Sequence, residues 1–318
     1  MYVETFSTID ELWTHTVRNL LVNGKELDSR NGRVKEIIGY TAVLNNVHST
    51  FLLNGRRKLS ASYACAEFLW YLNSDPSVEM ICAYAPSYSR FADDGIAYGA
   101  YGHRAFSNLQ GRDKSNCAKY RSQYELVIDH LRTNLDSRQA VVTLWEANDL
   151  THACAKDRKD LPCTLSLQFL IRGGELHLIT TMRSNDAWLG LPYDVFAFTC
   201  IQQLVAGTLN VRCGTYTHQV GSEHLYEKNW TAAREALKCT PTFPPKTHGW
   251  HNSLQSWNKD IVAAHRLERM MRINDGCIRV ELGQLRHVNT LYDAVACCSW
   301  QFGYELRPIS PILQEALR

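Results

Sequence analysis

The sequence predicts an α+β fold, a sheet packed with helices, and three observations carry that expectation. Residues 164–172 and 175–182 are rich in β-branched side chains and alternate with the period of two that a half-buried strand needs. Residues 9–22 and 63–72 instead carry apolar side chains at helical spacing. The chain has 318 residues, 45% of them hydrophobic, and can enclose one large core.

In chain order, Ile9, Leu12, Trp13, Val17, Leu20 and Leu21 fall on one face of an opening helix, which Gly24 stops. The helix over 63–72 is apolar except for Glu67, so it is expected to be buried with that carboxylate aimed at a specific task. Strands follow over 135–145 and in the pair 164–172 and 175–182, where Gly173-Gly174 makes a hairpin turn. Residues 193–206 read as a long apolar helix, and 211–220 return to strand alternation ahead of Glu223-His224-Leu225-Tyr226. Beyond Thr240, the prolines Pro241, Pro244 and Pro245 mark a loop, and 256–273 read as a further helix. The expected division is a principal domain over 1–240 and a helical extension over 241–318 packed on it, too apolar for disorder.

A net charge of +2, from 34 basic and 32 acidic residues, gives no field for nucleic-acid binding, so a small ligand is the expected partner. The amino terminus has no basic segment feeding an apolar run, and no 18-residue apolar stretch follows. The expectation is a cytoplasmic protein with no membrane contact. The 11 cysteines lack paired CxxC spacing and read as buried thiols. His248-x-x-His251 reads as a loop pair, since no further ligand cluster stands at a familiar spacing, and no metal is expected.

The chemistry concentrates in Leu161-Pro162-Cys163-Thr164 and in Arg183-Ser184-Asn185-Asp186-Ala187-Trp188-Leu189-Gly190-Leu191-Pro192-Tyr193-Asp194. A lone cysteine is usually a small buried hydrophobe. Here Pro162 fixes the backbone before Cys163, and Arg183 and Arg138 are candidates to lower its pKa. Singly, Arg30 reads as a solvated charge, Tyr101 as a core aromatic and Arg138 as a salt bridge at a strand start. Their shared order along the chain reverses that reading.

Over residues 29–226 these motifs resemble, in the same order, those of the thymidylate synthases. The resemblance implies Cys163 as nucleophile, Glu67 in Ala66-Glu67-Phe68-Leu69-Trp70 as the catalytic glutamate, and Tyr101 in Ala100-Tyr101-Gly102 as an active-site tyrosine. It implies a phosphate held by Arg30, Arg183 and Ser184, with Arg138 in Asp136-Ser137-Arg138 lent to the neighbouring subunit; guanidinium forks and a hydroxyl suit that anion. His224 and Tyr226 would bind the sugar 3′-hydroxyl. Gly190, Tyr193 and, more loosely, Arg57 would face the folate, with Asp186 on both the folate and nucleotide sides. The implied protein is an obligate homodimer, with a mixed sheet whose face forms the interface and a catalytic domain over 1–240. Its ligands would be a pyrimidine nucleoside monophosphate and 5,10-methylenetetrahydrofolate as co-substrate.

Several positions depart from the family pattern. Arg-Thr-Gly-Thr-Gly is broken at Ser29-Arg30-Asn31-Gly32, a second lent arginine is Gln139, the histidine after the nucleophile is Thr164, and the glutamine before Arg183 is Met182. The apolar tail that closes over the folate is not recognisable in Leu313-Gln314-Glu315-Ala316-Leu317-Arg318, which favours water over hydride at the one-carbon unit. Asp194 stands where the synthases carry asparagine. An asparagine amide matches the nitrogen 3 donor and oxygen 4 acceptor of uracil, whereas a protonated Asp194 can donate to nitrogen 3 of cytosine and accept from its exocyclic amine.

The expectation is therefore a resemblance to the deoxycytidylate 5-hydroxymethyltransferases. Cys163 adds to carbon 6, carbon 5 takes the one-carbon unit, and water completes a hydroxymethyl group. Ser184 and Arg138 keep the deoxynucleotide pattern and favour deoxyribose. The alternatives are a cytidylate hydroxymethylase, a deoxycytidylate methyltransferase, a thymidylate synthase acting on deoxyuridylate, and a catalytically silent relative that binds a nucleotide or nucleic acid.

Overall fold

The computed structural model describes residues 4–48, 50–107, 122–239, 257–273, 285 and 288–317. Among them, β1 (Glu4–Phe6), β2 (Lys25–Ser29), β3 (Gly32–Leu44), β4 (Val141–Thr143), β5 (Thr164–Arg172), β6 (Glu175–Asp186) and β7 (Arg212–Tyr226) form one sheet. Its order is β1-β3-β7-β6-β5-β4, with β2 beside β3. The sheet is mixed: β1 with β3 and β6 with β7 run parallel, and the other pairs are antiparallel. The helices are α1 (Ile9–Asn23), α2 (Ala61–Tyr71), α3 (Glu79–Tyr84), α4 (Tyr101–Ser107), α5 (Gln123–Thr133), α6 (Ala147–Ala155), α7 (Leu191–Leu209), α8 (Glu227–Ala236), α9 (Trp257–Arg272), α10 (Asn289–Trp300) and α11 (Pro311–Ala316).

Strand alternation separates two faces of the sheet. Leu44, Leu167, Phe169, Leu178, Met182 and Tyr216 are buried in the core shared with α1, α2 and α7. The residues between them, such as Gln168, His177, Ile179, Thr181 and Thr217, are half-buried on the opposite face. α1 forms where expected: Thr8 Oγ1 accepts from Glu11 N at 3.2 Å, and Ile9, Leu12, Trp13, Val17 and Leu20 are buried while Leu21 is only partly so. Trp13 Nε1 then donates to Ala187 O at 2.8 Å, tying this helix to the segment that carries Asp186 and Gly190.

The expected strand over 135–145 shrinks to Val141–Thr143. Ser137 makes a turn there instead, its amide donating to Asn134 O at 3.2 Å and its hydroxyl accepting from Gln139 N at 3.0 Å. β6 and β7 run further than their apolar patterns, because their last residues are polar yet remain in register, with Ser184, Asn185 and Asp186 opposite Ser222, Glu223 and His224. Gly173 and Gly174 make the expected turn at φ 58° and 76°. α7 starts at Leu191 rather than at 193 and ends at Asn210 in the left-handed region.

Beyond 240, Pro241, Pro244, Pro245, His248, His251 and Ser256 lie outside the described residues. α10 packs on α2, where Ser62 Oγ donates to Cys297 O at 2.8 Å. Tyr84 OH bonds Glu268 Oε1 of α9 at 3.1 Å, and Asp293 accepts the amides of Ile309 and Ser310 ahead of α11. The described cysteines are free thiols. No helix among the described residues is long and apolar enough to cross a membrane.

Candidate active site

The topology gathers the motif residues at one end of the sheet. Cys163 immediately precedes β5, residues 183–186 close β6, residues 222–226 close β7, and α7 begins five residues after Asp186. Arg183 is built into the loop that carries Cys163. Its amide donates to Cys163 O at 2.8 Å, its Nε to Pro162 O at 2.9 Å and its Nη2 to Leu161 O at 3.0 Å. Tyr101 OH accepts from Thr164 N at 3.1 Å on the other side of Cys163.

Burial pushes the Cys163 thiol up to about 11, outweighing the lowering by Arg183, while Asp194 and Asp160 raise it further. Arg183 thus lowers the thiol as expected, but burial outweighs it and the net shift is upward. Arg138 is exposed, and its carbonyl accepts from Gln168 Nε2 at 3.0 Å. Gln168 lies five residues along β5 from Cys163. At about 3.4 Å per residue the Gln168 backbone is roughly 17 Å from Cys163, and Arg138 is not among the charges that shift the thiol.

Glu67 is buried in α2, and Tyr63 OH donates to its Oε1 at 2.7 Å, with Tyr71 as a second hydrogen-bonding neighbour. Burial nevertheless raises its pKa to about 7. Asp194, in the first turn of α7, is only 8% exposed, and its Oδ2 accepts from Asn185 Nδ2 at 2.7 Å. Burial, then the charge of Glu67, hold Asp194 well above the ordinary carboxylate range against the lowering by Asn185. Gly190 packs closely beside this pair: a Cβ there would lie 3.2 Å from Asp194 Oδ2 and 3.3 Å from Asn185 Nδ2, so these side chains would have to shift slightly to admit one.

Residues expected to face the folate lie close to one another. Arg57 Nε donates to Trp188 O at 2.8 Å, and its guanidinium lies 5.1 Å from the Trp188 ring centre and 5.8 Å from that of Tyr193. Tyr193 OH accepts from Ser60 N at 3.1 Å, and Asp186 Oδ1 from Trp188 N at 2.8 Å. The His224 and Tyr226 rings meet edge to face at 5.1 Å. Arg30 is exposed in the β2–β3 turn, and β3 leaves that turn with Val34 opposite Tyr226. Ser184 is half-buried opposite Ser222.

Sequence reasoning missed Tyr63, Tyr71, the amide of Asn185, Asp160 and Glu223. Tyr63 was reachable, since it precedes Glu67 by one helical turn. Asp160, raised to about 6 by burial while its Oδ2 accepts from Gly99 N at 3.1 Å, and the wholly buried Glu223 become visible only in the fold. Among the described residues no group of three or more His, Cys, Asp or Glu side chains is placed to hold a metal ion.

A thiol, an arginine and buried acids thus gather near one end of a mixed sheet, groups whose chemistry suits nucleophilic attack and the holding of an anion. The family model described as thymidylate synthase matches residues 11–263, and the chain belongs to that family. A deoxyuridylate hydroxymethyltransferase of Bacillus phage SP01 is 30% identical over 237 residues, covering 73% of this chain and 61% of that protein's length. The fold is similar to that of thermostable thymidylate synthase A from Bacillus subtilis, with a TM-score of 0.66 at 20% identity, covering 80% of this chain and 92% of the other.

Proposed function

We propose that this protein transfers a one-carbon unit to carbon 5 of a cytosine nucleotide and hydrates it, converting deoxycytidylate to 5-hydroxymethyl-deoxycytidylate. The observation that carries the reading is Asp194, a buried carboxyl held well above its ordinary range with one oxygen accepting from Asn185. In its neutral form it offers cytosine a donor for nitrogen 3 and an acceptor for the exocyclic amine. Protonation at nitrogen 3 also makes carbon 6 more electrophilic toward Cys163.

The other residues take roles that suit their placement. Arg30, Arg183 and Ser184 hold the phosphate, His224 and Tyr226 the sugar, and in a homodimer the exposed Arg138 is available to serve the partner's site. The folate side fits a co-substrate with carboxylates, because Arg57 Nη2 is buried without a partner. Arg57, Asp186, Trp188, Gly190 and Tyr193 are the residues that would hold 5,10-methylenetetrahydrofolate, which supplies the one-carbon unit when bound. Glu67, with its pKa near 7, can take a proton from water as the oxygen adds to the exocyclic carbon.

A second reading, hydroxymethylation of deoxyuridylate, is favoured by the 30% identity to a protein named for that activity. Incubation with deoxycytidylate, cytidylate or deoxyuridylate and methylenetetrahydrofolate, followed by product mass, tests both. Hydroxymethyl-deoxycytidylate with tetrahydrofolate supports the proposal, and product from deoxyuridylate alone supports the second reading. Dihydrofolate in proportion to product identifies methyl transfer, and no product from any nucleotide leaves a silent relative.

A further inference from the structure

Glu223 is 0% exposed, and neither of its carboxyl oxygens has a hydrogen-bond partner. An ionised carboxylate in that state is costly, whereas a neutral acid needs one acceptor for its hydroxyl. Burial, Asp186 of β6 and Asp194 of α7 all raise it well above the ordinary range. Tyr40 of β3 and Tyr216 of β7 are the other titratable groups that feel its charge.

The sheet register supplies the acceptor. Asn185 of β6 and Glu223 of β7 are direct partners in the parallel pair, both buried, on strands about 4.8 Å apart. Asn185 gives its Nδ2 to Asp194 Oδ2 at 2.7 Å, while its Oδ1 is buried without a partner. An acid with no acceptor therefore sits one strand spacing from an amide oxygen with no donor.

We propose that Glu223 is a positioning residue: as a neutral acid it donates its hydroxyl to Asn185 Oδ1 and fixes the amide with its NH2 toward Asp194. The inference rests on the reading of Asp194 as the group that recognises the base. With Oδ2 accepting from Asn185, the Asp194 proton is kept on Oδ1 for nitrogen 3 of cytosine, and the second lone pair of Oδ2 remains for the exocyclic amine. An amide turned over would take that proton onto its own oxygen and leave an acceptor where cytosine needs a donor.

Two substitutions separate this role from packing. Glu223→Gln keeps a donor of the same shape, and Glu223→Met removes it. Glu223→Met is expected to lose about ten- to a hundredfold in kcat/KM for deoxycytidylate and to lose preference over deoxyuridylate, with Glu223→Gln staying within about threefold of wild type. Unchanged preference in Glu223→Met, in an enzyme that favours cytosine, overturns the positioning role and leaves the function standing. A wild type that favours deoxyuridylate overturns the reading of Asp194, and with it the part of the proposal that concerns the base. Infrared difference spectra of wild type against Glu223→Gln test the neutral acid that the hydrogen bond requires, independently of substrate and of whether Glu223→Met folds. A protonated-carboxyl band at neutral pH that Glu223→Gln removes supports the proposal, and its absence from wild type overturns it.

Discussion

Asn185 and Asp194, nine residues apart on β6 and α7, meet through an Nδ2 to Oδ2 hydrogen bond of 2.7 Å that joins the sheet to the first turn of the helix. The bond leaves Asp194 one oxygen unengaged by Asn185, in surroundings that favour its neutral form.

Asp194→Asn should therefore exchange the hydrogen-bonding pattern offered to the base. Preference for cytosine over uracil nucleotides should fall by roughly ten- to a hundredfold, the effect of mismatching buried polar groups by about 1–3 kcal/mol. The ratio of kcat/KM values for the two nucleotides measures it. An unaltered ratio would mean that another residue reads the base.

Cys163→Ala should abolish turnover while keeping nucleotide affinity, because the proposed phosphate and sugar contacts come from other residues. In the free protein the thiol, near 11, should alkylate slowly at neutral pH. The rate should climb about tenfold per pH unit as thiolate forms. Arg183→Gln should slow it further by removing the cation that lowers the thiol's pKa. Mass spectrometry of the Cys163 peptide follows this rate; a thiol that alkylates at a pH-independent rate would contradict the assignment.

Glu67 holds its proton up to about pH 7 in the folded protein, against an ordinary value of 4.5. Between those limits the folded state binds a proton that the unfolded state has lost, so this group's stabilisation is full below the window and is lost as pH rises through it. Glu67→Gln removes that dependence. Relative to wild type, the variant should gain up to about 3 kcal/mol between roughly pH 4 and pH 8, read from denaturant midpoints. A difference that stays flat across the range would show that Glu67 ionises as freely as in water.

Mixing Cys163→Ala and Arg138→Ala chains should restore part of the activity if Arg138 serves the opposite subunit, since mixed dimers then contain one intact site. Stable mixed dimers without activity would remove the shared site.

The sequence made the elements with a strong apolar period legible. Ile9, Leu12, Trp13, Val17 and Leu20 are buried as their spacing requires, and the Gly173-Gly174 turn joins two alternating strands. It hid the ends of β6 and β7, where Ser184, Asn185, Asp186, Ser222 and His224 carry no apolar signal although they remain in register. Cys163, Glu67 and Asp194 stood out through their motifs. Their environments did not, because the rise in the Cys163 pKa comes from burial by segments distant in sequence, and the pairing of Asn185 with Asp194 depends on how the end of β6 turns into α7.

Arg183 gives two guanidinium nitrogens to the carbonyls of Leu161 and Pro162, in the loop that presents Cys163. In the proposed reaction, the group that holds the phosphate and the sulfur that attacks the base would thereby be mounted on one bracket. The bracket acts as a ruler: it accepts a ligand in which anion and carbon 6 stand one sugar apart, and it cannot slide to suit a longer or shorter one. Nucleosides should miss the anchor.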